Sequence, residues 1–235
     1  MADDSRTFWD ARAAEDAFYF VDSRLDYRDG DAEAFWEGGQ GSLDALLDAV
    51  ELTVGPEDRV VDIGCGVGRL TRVLASRARS VVGIDVSSRM LELARTHNAH
   101  LDNVTWVQGD GVSLAGIETA SADACVSFVV FQHIPDQEIT LGYVREMGRV
   151  LRPGGAAAFQ VSNDQRVHDR RPGLRARVRA LVGRAPRGQA HPNWRGSSID
   201  PKALLEAVDA AGMDLERIVG EGTQFCLVRT RKREG

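Results

Sequence analysis

The chain has little cysteine, almost no lysine and no apolar run long enough to cross a membrane. Its three cysteines, Cys65, Cys125 and Cys226, are odd in number, lie far apart and form no CxxC pair. Neither a disulfide framework nor a metal site is therefore expected. Two lysines stand beside 27 arginines; with the abundant alanine and glycine, this ratio looks like a genome-wide codon bias and is given no functional weight. The 35 acids outnumber the 29 bases, for a formal charge of −6, so no global field draws in nucleic acid or anionic lipid. The first residues are acidic and lack the basic-then-apolar order of an export signal. No nucleic-acid partner, no membrane and a reducing cytoplasm are the expectations.

What is present is the composition of a globular protein, 43% hydrophobic and 27% charged over 235 residues, and a chain of this length buries a core without staples. From residue 56 onward, short β-rich runs alternate with amphipathic helical stretches, the pattern of βα units around a parallel sheet. Strands are predicted at 59–63, 80–85, 103–108, 124–130 and 156–161, the last after a turn at Arg152-Pro-Gly-Gly. Asp200 followed by Pro201 opens a final helix, and runs at 215–219 and 224–228 read as an antiparallel pair.

Charge is sorted along the chain. Residues 1–60 carry 16 acids against five arginines, and residues 163–195 carry nine arginines against two aspartates. Residues 1–55 read as a helical cap, with breaks at Asp29-Gly30 and Gly38-Gly39. Residues 163–198 read as an Arg-rich insertion in a second unit, 56–235. Both segments are long enough to be lids over a sheet edge.

The chemistry concentrates at strand ends. Asp62-Ile-Gly64-Cys65-Gly66-Val-Gly68 closes the first strand, and its glycines let a ligand approach main chain that a Cβ would block. A dinucleotide turn would place a third glycine at position 69, which is Arg69, so an NAD-dependent oxidoreductase is a weaker alternative. Asp85 closes the second strand, where a carboxylate can accept both ribose hydroxyls, and Asp110 closes the third beside Gly111. Each aspartate alone can be a turn cap; three at successive strand ends would line one crevice.

These stretches, VVDIGCGVGRL from Val60, VVGIDVSSRMLELAR from Val81, VQGDG from Val107, ADACVSFVVFQHIPD from Ala122 and LRPGG from Leu151, resemble the class I S-adenosylmethionine-dependent methyltransferases, especially the small-molecule group. The resemblance spans about residues 56–160. It implies an α/β, Rossmann-like, seven-stranded and mostly parallel sheet with a reversed final β-hairpin and helices on both faces. It also implies S-adenosyl-L-methionine as cofactor. Asp62, Gly64, Gly66 and Gly68 would then meet or admit the methionine part, with Cys65 a small packing residue in the same turn. Asp85 would hold the ribose, Val86 and Met90 would flank the adenine, Asp110 and Gly111 would meet the base, and Phe128 would offer its backbone near the methionine amino group. The Gly38-Gly39-Gln40 turn resembles a segment that closes over the methionine end in relatives.

His133 stands where the resembling family often has a histidine facing the transferred methyl, and is the candidate general base; the alternative role is shaping the loop. Tyr19, Trp36 and Trp194 are secondary aromatic candidates near a sulfonium. The Asn/Asp-Pro-Pro-Phe/Tyr pattern that grips a planar nitrogen is missing after the fourth strand. The expected partner is thus a small-molecule acceptor, methylated on oxygen or nitrogen: a sugar, polyketide, terpenoid or peptide natural product. Arginines between Arg166 and Arg195 admit an acceptor bearing carboxylate or phosphate, beside the simpler reading of a solvated loop. A protein that binds S-adenosylmethionine for another reaction is the remaining alternative.

Overall fold

The computed structural model describes residues 2–171, 173–181 and 183–234. Seven strands, β1 (Arg59–Ile63), β2 (Ser80–Asp85), β3 (Val104–Gln108), β4 (Ala122–Ser127), β5 (Leu151–Val161), β6 (Met213–Val219) and β7 (Cys226–Lys232), form one sheet in the order β3-β2-β1-β4-β5-β7-β6. The pairs from β3 to β5 are parallel, whereas β7 runs antiparallel to both β5 and β6. This is the mostly parallel sheet with a reversed final hairpin that the sequence implies. The order reverses between β1 and β4, and a crevice opens at such a switch point, outside the carboxyl ends of the strands.

Around the sheet lie α1 (Ala2–Val21), α2 (Ala32–Val50), α3 (Arg69–Ala75), α4 (Ser88–His97), α5 (Gln137–Val150), α6 (Gln165–Asp169), α7 (Leu174–Leu181), α8 (Pro192–Arg195) and α9 (Pro201–Ala210). Successive strand residues point to opposite faces. Val60, Val81, Val126 and Ala158 therefore pack with Leu43, Leu46 and Leu47 of α2 and Leu74 of α3. Val61, Cys125, Ala157 and Phe159 pack with Leu141, Val144 and Met147 of α5 and Leu204 of α9. Burial on both faces is why these strands read as continuous apolar runs rather than alternating ones. No helix among the described residues is long and apolar enough to cross a membrane.

Three local expectations are corrected. The helix predicted to break at Gly38-Gly39 runs unbroken through it as α2, so the Gly38-Gly39-Gln40 segment is not a turn. Its glycine serves close packing: a Cβ on Gly39 would lie 2.9 Å from the Arg69 carbonyl oxygen on the crossing helix. The fourth strand stops at Ser127 rather than 130, because Val129 takes a left-handed φ of 59° that ends strand pairing. The Arg152-Pro-Gly-Gly turn lies inside β5, where the register jumps from Leu151 opposite Ala122 to Ala156 opposite Ala124.

The N-terminal segment bends at Asp16, whose φ and ψ of −171° and 85° interrupt α1. Its carboxylate then accepts from the backbone N–H groups of Tyr19, 3.1 Å, and Arg28, 2.6 Å. Asp10 fastens α1 to the sheet unit by accepting from the Ser87 hydroxyl, 2.6 Å, and the Arg89 N–H, 3.1 Å, at the start of α4. Helix α1 thereby lies across the carboxyl ends of β1 and β2.

Candidate active site

The glycine turn after β1 places positive-φ residues Gly64 (74°) and Gly66 (54°) at the switch point. The Gly66 N–H donates to Asp85 Oδ2 at 2.9 Å, and the Ser87 N–H donates to Asp85 Oδ1 at 2.8 Å. Each carboxylate oxygen keeps a lone pair for a further donor. Burial raises the Asp85 pKa against these two bonds. A desolvated carboxylate of this kind gains from ligand hydroxyls.

One cleft is walled by Gly64, Gly66, Asp85, Val86, Met90, Gly111, Phe128 and His133, and closed from above by Trp9 and Val21 of α1. The other sequence candidates are not part of that wall. Asp62 is 3% exposed and accepts the Thr71 hydroxyl at 2.6 Å; burial pushes its pKa up to about 6 despite that bond. Cys65 is buried, and burial raises its thiol well above the ordinary value, the environment of an inert packing residue. Gly68 starts α3 against Trp106 and Asn98. Asp110 turns its carboxylate inward, accepting the N–H groups of Val112 (2.9 Å) and Ser113 (2.7 Å) and the Ser113 hydroxyl (2.6 Å). Those bonds outweigh its partial burial and hold it below the usual carboxylate range. In this arrangement Asp110 caps the turn that carries Gly111.

A second cavity adjoins the first. Phe20, Val21, Phe128, Val129 and His133 belong to both walls. The second is otherwise built from residues 22–24 after α1, Ser42 of α2, the start of α3, the α6-to-α8 segment and the turn between β6 and β7. His133 ends a 3-10 turn (Phe131–His133). Its Nδ1 lies 2.7 Å from the Trp194 carbonyl, which only accepts, so Nδ1 carries the proton and Nε2 keeps the lone pair. The Gln132 side-chain N–H group approaches that Nε2 at 3.2 Å. Gln132 is oriented in turn by Gln160, whose Nε2 donates to Gln132 Oε1 at 3.0 Å and whose Oε1 accepts from Val129 N at 3.0 Å. Burial pushes the His133 pKa down to about 4, against the Trp194 carbonyl. The imidazole is neutral at physiological pH.

Aromatic rings surround this junction. Trp9 and Trp194 lie 5.6 and 5.1 Å from the His133 ring, and Phe20 lies 5.4 Å from Trp194. Trp194 is the sequence candidate present here. Tyr19 packs on Phe20 and Tyr27, and Trp36 stacks under the Arg72 guanidinium at 3.8 Å, and neither lines the two cavities. Sequence reasoning missed Trp9, Gln132 and Gln160, because nothing in their local patterns distinguishes them from ordinary packing and surface residues. Among the described residues, no cluster of three or more His, Cys, Asp or Glu side chains is arranged to hold a metal ion.

The glycine cradle, the partly buried Asp85 carboxylate with spare lone pairs and a neighbouring apolar wall at Val86 and Met90 fit a nucleoside with vicinal hydroxyls. With the strand order and reversed hairpin, they define the fold class of the class I S-adenosylmethionine-dependent methyltransferases. Residues 60–155 match the family model described as "Methyltransferase domain".

A ubiquinone biosynthesis O-methyltransferase of Idiomarina loihiensis is 31% identical over 157 residues, 66% of this chain and 61% of that protein. A demethylmenaquinone methyltransferase of Tropheryma whipplei is 34% identical over 104 residues, covering 44% of this chain and 41% of the relative. The chain thus spans about three fifths and two fifths of the lengths of these relatives. Among solved structures, an S-adenosylmethionine dependent methyltransferase from Mesorhizobium loti matches with a TM-score of 0.63 at 22% identity, over 83% of this chain and 100% of that one. The N-methyltransferase NodS from Bradyrhizobium japonicum, in complex with S-adenosyl-L-homocysteine, matches at 0.62 and 18%, over 98% and 99%. These two structures share the fold.

Proposed function

We propose that the chain transfers the methyl group of S-adenosylmethionine to an oxygen or nitrogen of a small-molecule acceptor. The observation that carries this reading is the shared wall: a nucleoside-shaped cleft and a second cavity meet at Phe128, Val129 and His133. The O-methyltransferase named among the relatives supports oxygen as the acceptor atom, and the two quinone-pathway relatives support a hydroxylated ring as its setting.

In this reading Asp85 accepts the ribose hydroxyls, Gly64 and Gly66 admit the methionine portion, Val86 and Met90 flank the adenine, and Gly111 offers its amide to the base. Asp62 and Asp110 act through the turns they hold. When bound, the cofactor supplies an electrophilic methyl on a sulfonium and leaves as S-adenosylhomocysteine. The protein aligns donor and acceptor and keeps water out, which accounts for much of the acceleration in an in-line displacement. The aromatic rings favour positive charge at the junction. Nε2 of neutral His133 takes the acceptor's proton as its oxygen attacks; the Gln132 N–H yields that lone pair to the incoming hydroxyl.

The test is release of S-adenosylhomocysteine on incubation with S-adenosylmethionine and a panel of small phenols, catechols and amines. Turnover with at least one acceptor is expected, falling about 10²- to 10⁴-fold in His133→Ala while S-adenosylhomocysteine still binds. A His133→Ala protein with undiminished turnover would remove the base role.

A further inference from the structure

Resting on the methyltransferase reading, we infer that the second cavity is built for an acceptor that carries an anionic group, a carboxylate or a phosphate, besides the group it presents to His133. Five arginines, Arg24, Arg69, Arg170, Arg171 and Arg195, line this cavity against one carboxylate, Asp22, in a chain whose formal charge is −6. Composition alone would not gather them there. Arg24 and Arg69 come from the first third of the chain, the other three from the Arg-rich segment, and only the fold brings them together.

The single carboxylate does not neutralise the cluster. Asp22 Oδ2 is shared between Arg24 at 2.6 Å and Arg69 at 2.9 Å. Arg195 spends its Nε and one terminal nitrogen on the uncharged carbonyl of His168. Arg170 and Arg171 are exposed, and neither forms an ion pair with a carboxylate among the described residues. Arg69 carries the strongest signal. Its side chain is 5% exposed, yet its Nε has no hydrogen-bond partner. A buried guanidinium N–H without an acceptor is costly, and an anionic oxygen entering the cavity would supply one. Guanidinium forks match carboxylate and phosphate oxygens in a paired geometry.

The cavity therefore sorts acceptors by charge through its arginines and presents a hydroxyl or amine to His133. Only part of the Arg-rich segment takes part. Arg166 is paired with its neighbour Asp164 at 2.8 Å, is largely exposed and does not line the cavity.

The test uses the full chain saturated with S-adenosylhomocysteine and three simple ring probes: benzoate, phenyl phosphate and the neutral benzamide. Binding is read from intrinsic tryptophan fluorescence and by calorimetry. Benzoate or phenyl phosphate should bind at least about tenfold more tightly than benzamide, and the tighter of the two names the anion. The preference should weaken as salt rises and fall about tenfold in the double variant Arg170→Ala/Arg171→Ala, whose exposed positions put no folding at risk. Arg69→Lys, which keeps the charge and removes the Nε donor, should weaken the preferred anion as well. Equal affinity for benzamide and both anions, or an unchanged preference in the double variant, overturns the inference. Failure of S-adenosylhomocysteine to bind in the same calorimeter would instead overturn the methyltransferase reading, so the two failures are distinct.

Discussion

At His133 a backbone carbonyl decides what a side chain can do. Trp194 fixes the proton on Nδ1, and burial holds the ring neutral down to about pH 4. The acid limb of kcat/KM should therefore fall near pH 4 rather than at the ordinary histidine value of about 6.5. An inflection at 6.5 in a pH–rate profile would contradict the geometry. Asp62 shows the opposite shift and carries a stability consequence. Its folded pKa, raised to about 6, exceeds its unfolded value, so the folded state binds the proton more tightly and its contribution weakens as pH rises from about 4 to 6. Asp62→Asn removes that titration while keeping an acceptor for Thr71. Relative to the parent, the variant should gain on the order of 2 kcal/mol between pH 4.5 and 7.5 in urea unfolding. No change in the difference between the two proteins would show that Asp62 is not desolvated.

The elements most readable in the sequence were those whose ends are chemically marked. Strands β1 and β2 end at a glycine turn and at Asp85, and α9 opens at Asp200 and Pro201, as the cap chemistry predicts. The elements that misled are those whose ends are set by distant partners. Helix α2 tolerates Gly38 and Gly39 because Arg69 fills the space beside them, and β4 ends early because Gln160, on the next strand, captures the Val129 N–H. No local pattern encodes either contact. Helix α1 is held by a similarly remote device, with Asp10 capping the start of α4 from another helix. Asp10→Ala should cost about 1 kcal/mol and make residues 2–21 more susceptible to limited proteolysis. Unaltered cleavage would mean that apolar contacts alone seat the helix. Asp22 ties α1 to α3 through Arg69, and Asp22→Ala, which strands a buried guanidinium, should cost about 3 to 5 kcal/mol in the same unfolding assay.

For the whole molecule, the first cleft was legible because its parts sit at successive strand ends, a regularity that sequence order preserves. The second was legible only as a charge imbalance in residues 163–195; the structure uses three of those nine arginines and adds two from elsewhere. Three-dimensional convergence, not spacing, makes that cavity basic. Both cavities depend on one central claim, that the cleft at β1 and β2 holds a nucleoside sulfonium through Asp85. The direct measurement is calorimetric titration of the purified chain with S-adenosylmethionine and S-adenosylhomocysteine, with Asp85→Ala in parallel. The account predicts micromolar binding of both ligands in the parent and its loss in the variant. Absence of binding in the parent, or equal binding by the variant, would contradict it.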